Sequence, residues 1–245
     1  MLEESAGPRS PVQLRFLVLR PGTYAERRNG LGPATDLGDR EECMATPAEV
    51  DVLLVRCSRT EWDEADRLGG DCDLPACKAW GEELTQVLQD ADLSTLTAVI
   101  SSPCEASRQT ADHIARLADR KLRVFDGLAE VDLGLWEGQR YSELQERFPG
   151  AFSQWKEDPS SVVPPQGETM ADAELRLLTA LASALDKLNG KGRRVAVVVR
   201  PIAFHVLRNR LQGLPLKQDW QATAAGPLLV SLRVNRDEIA SARAV

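Results

Sequence analysis

The sequence predicts an α/β fold in three layers, with helices on both faces of a mostly parallel central sheet. Two observations carry that reading. Three runs, VLLV at 52–55, TAVIS at 97–101 and VAVVV at 195–199, are apolar without alternation and stop abruptly at polar residues, as strands buried on both faces do. Between them lie segments with apolar residues at helical spacing, so strand and helix alternate, and parallel neighbours joined by right-handed crossovers follow.

The elements follow in order. Residues 1–49 form an N-terminal extension: 1–10 carry no pattern, 13–19 are a candidate strand, and the stretch from Pro21 to Ala48 is rich in Gly, Pro and charge and reads as loop. The main domain spans 50–235. Its first strand is 52–55, residues 62–75 are loop, and 79–89 place Leu84, Val87 and Leu88 on one helical face. After the strand at 97–101, Ser102 is a candidate cap for a helix over about 104–119 with Ala111, Ile114, Ala115 and Ala118 inward. Residues 122–125 make a short strand. The segment 131–167, punctuated by Gly134, Gly138, Pro149, Pro159, Pro164, Pro165 and Gly167, reads as an insertion with one helix at 141–147, and insertions of this kind often cover active sites. Thr169, with Asp172 three residues on, caps a long helix whose stripe is Met170, Leu177, Leu178, Leu181, Leu185 and Leu188. The strand at 195–199, a helix at 202–211 and an alternating strand at 228–234 complete the domain, and 236–245 is a tail.

With 245 residues, 43% hydrophobic and 27% charged, the chain has enough apolar material for one large domain. A net charge of -7 argues against nucleic acid or an anionic membrane as partner, so an anionic ligand must be held by local basic residues. The opening MLEESAGPRS is too polar for a signal peptide, which implies a cytoplasmic location. Cys43, Cys57, Cys72, Cys77 and Cys104 are odd in number and irregularly spaced, and His113 and His205 lie far apart. Neither a disulfide framework, a metal site nor a cofactor is signalled, and free thiols are expected.

The stretches LVRCSRTEWD (54–63), RLGGDCDLP (67–75), ISSPCEASRQTADHIA (100–115), LAEVDLGLWEG (128–138), FPGAFSQWKEDP (148–159), PPQGET (164–169) and VAVVVRP (195–201) resemble, in order and spacing, the histidine phosphatase superfamily in its phosphoglycerate-mutase-like branch. The resemblance implies that fold over about residues 50–215. It also implies a site in which a histidine at the end of the first strand carries the phosphoryl group, two arginines and a second histidine hold the phosphate, and a glutamate protonates the leaving group. Arg56 matches the first arginine and Glu130 the glutamate. Cys57 stands in the nucleophile's place and Ser58 in that of the following glycine. The second arginine falls on Ala106, and the second histidine and its glycine on Arg200 and Pro201. Trp80 stands where the family usually has glycine.

These departures imply a catalytically degenerate member that binds a small phosphorylated molecule or phosphate, or interacts with protein. Arg56, Arg59, Thr60 and Arg200 are the candidate phosphate ligands. The alternative is a phosphomonoesterase, or a mutase-type phosphoryl transferase, using Cys57 as nucleophile or a bound water, with Glu130 as general acid. A further alternative is a regulatory subunit of an active homologue, and the partners expected are a second copy of the chain or an intact homologue. Cys57 is either that nucleophile or a small residue filling a lost histidine's space. Arg200 either faces an anion or pairs with Glu130. His113 and His205 read as surface or packing residues, and Arg108 is turned away from the place of the missing arginine. Thr60, Asp63, Arg67, Asp73 and Trp136-Glu137-Gly138 are expected to shape loops around the pocket. Finally, LVLRPGT at 17–23 with Gly32, Asp36 and Leu37 faintly repeats LLVRCSRT at 53–60 with Gly69, Asp73 and Leu74. This is a partial duplication, a coincidence, an extra edge strand, or the lining of an additional site around Arg20.

Overall fold

A computed structural model describes residues 49–77, 80–89, 91–188, 194–220 and 229–241. The candidate strand at 13–19, the rest of the N-terminal extension and the repeat-like segment around Arg20 lie outside them.

Five strands form one sheet in the order β3-β2-β4-β1-β5: β1 (Glu49–Arg56), β2 (Ala98–Ser101), β3 (Leu122–Val124), β4 (Arg194–Val199) and β5 (Leu229–Asn235). β1 and β2 both pair parallel with β4, and β3 pairs parallel with β2. β5 runs antiparallel along β1. The apolar runs are central because both faces are covered. Leu54, Ile100, Val197 and Val199 face a core formed with α6 (Met170–Asp186) and α7 (Pro201–Leu211). Leu53, Val55, Val99 and Val198 face a second core with α2 (Trp80–Leu88) and α3 (Glu105–Ala118). Helix, sheet and helix thus stack as three layers.

Thr169 caps α6 as its spacing implies, its Oγ1 accepting from the Asp172 amide at 3.0 Å. Ser102, by contrast, does not cap α3. Cys104 is the N-cap and supplies no side-chain bond, and the orphan amide of Glu105 is taken from outside by Asp73 Oδ1 at 2.7 Å.

Three further elements correct the sequence reading. The loop after β1 contains a short helix, α1 (Glu61–Glu64). The insertion holds α4 (Tyr141–Arg147) and also α5 (Pro149–Glu157), where Pro149 opens a helix instead of breaking one. The tail begins with α8 (Arg236–Ser241), which buries Ile239 in the α6 core. At the corner where the family resemblance marks a departure, Trp80 meets His113 edge-on at 5.5 Å. Among the described residues, no helix is long and apolar enough to cross a membrane.

Candidate functional site

Parallel strands deliver their carboxyl ends to one edge of a sheet. Here β1 ends in Arg56 and Cys57, and β4 is followed by Arg200; the Cys57 amide donates to Val199 O at 2.8 Å, which fixes the two strand ends side by side. A cavity of about 610 Å³ opens over them. Arg56, Cys57, Glu130 and Arg200 line it from the strand and loop ends, and Arg59, Asp63 and Arg67 from the loop after β1. The insertion supplies Tyr141, Ser153, Trp155, Lys156 and Glu157, so α5 forms one wall.

That wall is braced. Arg67 Nη1 donates to Gly138 O at 2.5 Å, and the amides of Leu68 and Gly138 bond across to Gln139 O and Leu68 O at 2.9 Å each. Gly138 sits at φ 70 with the Trp62 ring where a Cβ would stand, so both its conformation and the packing call for glycine. Trp136 is buried beneath, edge-on to Phe152 and Trp155. Trp220 donates to Trp155 O at 3.1 Å.

Arg200 is 1% exposed, and its contacts are long. Nη1 lies 3.6 Å from Asp63 Oδ2 and 3.9 Å from Cys57 Sγ, Nη2 lies 3.7 Å from Cys72 Sγ, and Nε has no hydrogen-bond partner among the described residues. A Cβ on Gly69 would come within 2.9 Å of Nη2, so a glycine lets the loop close over the guanidinium. Burial opposes the charge, but the negative forms of Cys57, Asp63, Glu130 and Cys72 more than offset it and hold the pKa above the ordinary arginine value.

The pairing of Arg200 with Glu130 entertained from the sequence is not formed. The two Glu130 oxygens are committed to backbone amides: Oε1 accepts from Val131 at 2.9 Å and Ala203 at 2.7 Å, and Oε2 accepts from Ile202 at 2.9 Å. Two of these donors open α7, so Glu130 fills the positive end of that helix dipole. Burial nevertheless pushes its carboxyl up to about 7, against the pull of Arg200 and of the three amides. Arg176 holds the segment that carries it, donating to Gly127 O, Ala129 O and Glu130 O at 3.0–3.1 Å.

Cys57 is 3% exposed. The neighbouring Cys104 thiol and burial keep the Cys57 pKa well above the ordinary thiol value, although Arg200 pulls it down. The Cys57 thiol, with help from Ser107, draws Cys104 down to about 6 against burial. Burial raises Cys72 to about 11. Ala106 packs in the same apolar cluster as Cys57, so apolar side chains fill the space the resemblance assigns to an arginine.

Of the candidate phosphate ligands, Arg56, Arg59 and Arg200 line the cavity and Thr60 does not. Thr60 is buried and caps α1, its amide and hydroxyl both donating to Asp63 Oδ2 at 2.7 Å. Arg108 pairs with Glu105 at 2.5 Å on the surface of α3. His205 is a packing residue, its Nε2 2.7 Å from Leu216 O and its ring edge-on to Trp220. No group of three metal-ligating side chains occurs among the described residues. Sequence reasoning missed Asp63 as the partner of Arg200, Cys72 beside the same guanidinium, and Arg176 altogether. The Thr60…Asp63 spacing was the one usable signal, since it is that of a capping box and fixes where the carboxylate points.

Residues 52–243 match the family model described as "Histidine phosphatase superfamily (branch 1)". The chain is 26% identical over 171 residues to "Phosphoserine phosphatase 1" of Hydrogenobacter thermophilus, covering 70% of this chain and 80% of that one. It is 30% identical over 168 residues to "Probable phosphoglycerate mutase GpmB" of Klebsiella pneumoniae, covering 67% and 75%. A solved structure of mycobacterial glucosyl-3-phosphoglycerate phosphatase superimposes with a TM-score of 0.63 at 22% identity, over 71% of this chain and 86% of that one.

Proposed function

The chain belongs to branch 1 of the histidine phosphatase superfamily, and from that premise we propose that it is a catalytically degenerate member whose cavity binds a small phosphorylated molecule. The observation that carries the proposal is the state of Arg200. A guanidinium 1% exposed, whose one ion pair among the described residues is 3.6 Å long and whose Nε has no hydrogen-bond partner among them, is under-satisfied for a buried charge. A phosphate in the cavity would supply the missing acceptors bidentately. Arg56, Arg59, Arg67 and Lys156 line the same space and favour the same charge.

The loss of catalysis rests on Cys57. The phosphoenzyme route needs a nucleophile that is available near neutral pH, and the neighbouring Cys104 thiol and burial push the Cys57 pKa further above the ordinary thiol value. Neither His113 nor His205 lines the cavity. A cytoplasmic setting is part of the proposal and agrees with the free thiols at Cys57, Cys72, Cys77 and Cys104.

The test pairs two measurements on the purified chain: turnover of a generic phosphomonoester from pH 5 to 9, and calorimetric titration with inorganic phosphate. The expected result is no turnover in wild type or Cys57→Ala, with phosphate binding that Arg200→Met abolishes. Cys57-dependent turnover, or no binding of phosphate by wild type, would overturn the reading. A second reading, a residual phosphomonoesterase acting through water, is favoured by one observation: Glu130 stays protonated to about 7 beside Arg200 and can act as general acid. It requires turnover that survives Cys57→Ala and is lost in Glu130→Gln.

A further inference from the structure

Helix α7 turns three polar side chains inward that the anion pocket does not use: His205, Arg208 and Asn209 are all buried. Asn209 gathers the segment that follows the helix. Its Nδ2 donates to Pro215 O and to Gln218 O, both at 2.9 Å, while the Leu214 amide donates to Asn209 O at 2.8 Å. Trp220 follows closely on these held carbonyls. It lines the cavity, donates from Nε1 to Trp155 O at 3.1 Å, and meets the Trp155 and His205 rings edge-on at 5.0 Å each. One buried amide thus fixes the place of Trp220 in the cavity wall.

The neighbouring imidazole has one allowed neutral form. Leu216 O, 2.7 Å from Nε2, can only accept, so Nε2 carries the hydrogen and Nδ1 is the bare nitrogen. Nδ1 faces Arg208 Nη2 at 3.5 Å, and the same guanidinium donates from Nε to Asn209 Oδ1 at 3.0 Å. Among the described residues, the charged groups acting on the ring are Arg208 from its own helix and Asp219 from the segment packed against it. Asp219 Oδ2 is 3.6 Å from Arg208 Nη2. Burial, with Arg208, holds the imidazole below its ordinary pKa, against the pull of Leu216 O and Asp219.

We propose that Asn209 is the positioning residue of the Trp220 wall and that His205 makes its hold depend on pH: the wall stands while the imidazole is neutral and gives way once it is protonated. A proton on Nδ1 sets a second cation against Arg208, donor to donor. The bond to Leu216 O survives protonation, so the repulsion falls on Arg208. It passes through Nε to the Asn209 amide, and that amide holds Pro215 and Gln218. The proposal gives a buried histidine a role beyond packing. It concerns the shape of the cavity and does not rest on phosphate being the ligand.

The test is NMR of the full-length, isotope-labelled protein from pH 8 to 5. It follows the indole N–H of Trp220, identified by its absence in Trp220→Phe, and the ring of His205, told from the chain's other histidine by His113→Gln. The expected result is one shared midpoint below 6.5, with the indole proton moving upfield as its bond to Trp155 O is lost. His205→Gln can still donate to Leu216 O but does not titrate, so it should hold the indole at its pH 8 position throughout. His113→Gln should keep the wild-type profile. Asn209→Asp keeps an acceptor for Arg208 and loses the donor to Pro215 and Gln218, so its indole should stand upfield at every pH. Three results would each overturn the proposal: an indole that stays fixed while His205 titrates, a shift that survives His205→Gln and so belongs to Glu130, or a His205 that takes up no proton down to pH 5. The two wild-type midpoints decide the question even if a substitution at Asn209 or His205 prevents folding.

Discussion

Arg200 and Asp63 face each other at 3.6 Å, and the same Asp63 oxygen accepts two bonds of 2.7 Å from Thr60. The carboxylate is therefore held by its cap more tightly than by the arginine, and it only partly neutralises the guanidinium. Asp63→Asn keeps an acceptor for the cap and removes the charge. Asp63 is 25% exposed, so the lost attraction is about 1 kcal/mol. Phosphate should bind about fivefold tighter in the variant, as read by calorimetric titration; equal or weaker binding would count against Arg200 as the anion's ligand.

Restoring a histidine at the strand end should not restore turnover. Cys57 is 3% exposed in a cluster with Val55 and Ala106, so Cys57→His overpacks the cluster at a cost of about 1–3 kcal/mol. Ala106 still offers no guanidinium, and Arg200 no imidazole. Urea midpoints and hydrolysis of a generic phosphomonoester check both halves. Appreciable turnover by this single variant would show that the cage for the phosphate is intact.

Glu130 sets a pH dependence whose sign follows from its raised pKa. The folded protein holds the proton up to about 7, whereas an unfolded glutamate releases it near 4.5. Its contribution is complete below 4.5 and is lost as pH rises through 7, a change on the order of 3 kcal/mol. Denaturant titrations at pH 5, 6, 7 and 8 should show this decline in wild type and a flatter profile in Glu130→Gln. The variant should also be less stable at pH 5, because an amide nitrogen then faces one of the three backbone donors. A wild-type profile that rises from pH 5 to 7 contradicts the assignment.

Trp155 tests the wall. Its Nε1 is buried with no hydrogen-bond partner among the described residues, while its ring lies 5.0 Å from Trp220 and 5.9 Å from Trp136. Trp155→Phe keeps most of the aromatic packing and removes the orphan donor, so the urea stability should stay within about 1.5 kcal/mol of wild type. Trp155→Ala should cost about 3–5 kcal/mol. A large loss from the phenylalanine variant would show that the indole nitrogen has a partner.

The central strands were legible in the sequence because burial on both faces leaves an uninterrupted apolar run, and Val52–Val55 and Val195–Val199 have no other good reading. The long helix was legible because Thr169 and its stripe agree. Pro149 misled because proline ends helices and also begins them, and sequence alone does not separate N1 from a break. At the site, Arg56, Cys57, Glu130 and Arg200 could be named because each stands at the end of an element with a clear signal. Which of them touch could not, since that depends on side-chain reach across the loop: Glu130 reached the amides of α7, and Arg200 was left to Asp63 and two thiols.

The sheet order has a consequence for biosynthesis. β1 is the first described strand to be made, yet both of its hydrogen-bonding partners come from late in the chain; Asp51 meets Arg233 across 182 residues. Until β4 and β5 leave the ribosome, an apolar strand with two open edges is carried on the nascent chain, a template for pairing with any other polypeptide at hand. Yield from a cell should therefore depend on holdase capacity and on growth temperature more than the finished stability would suggest.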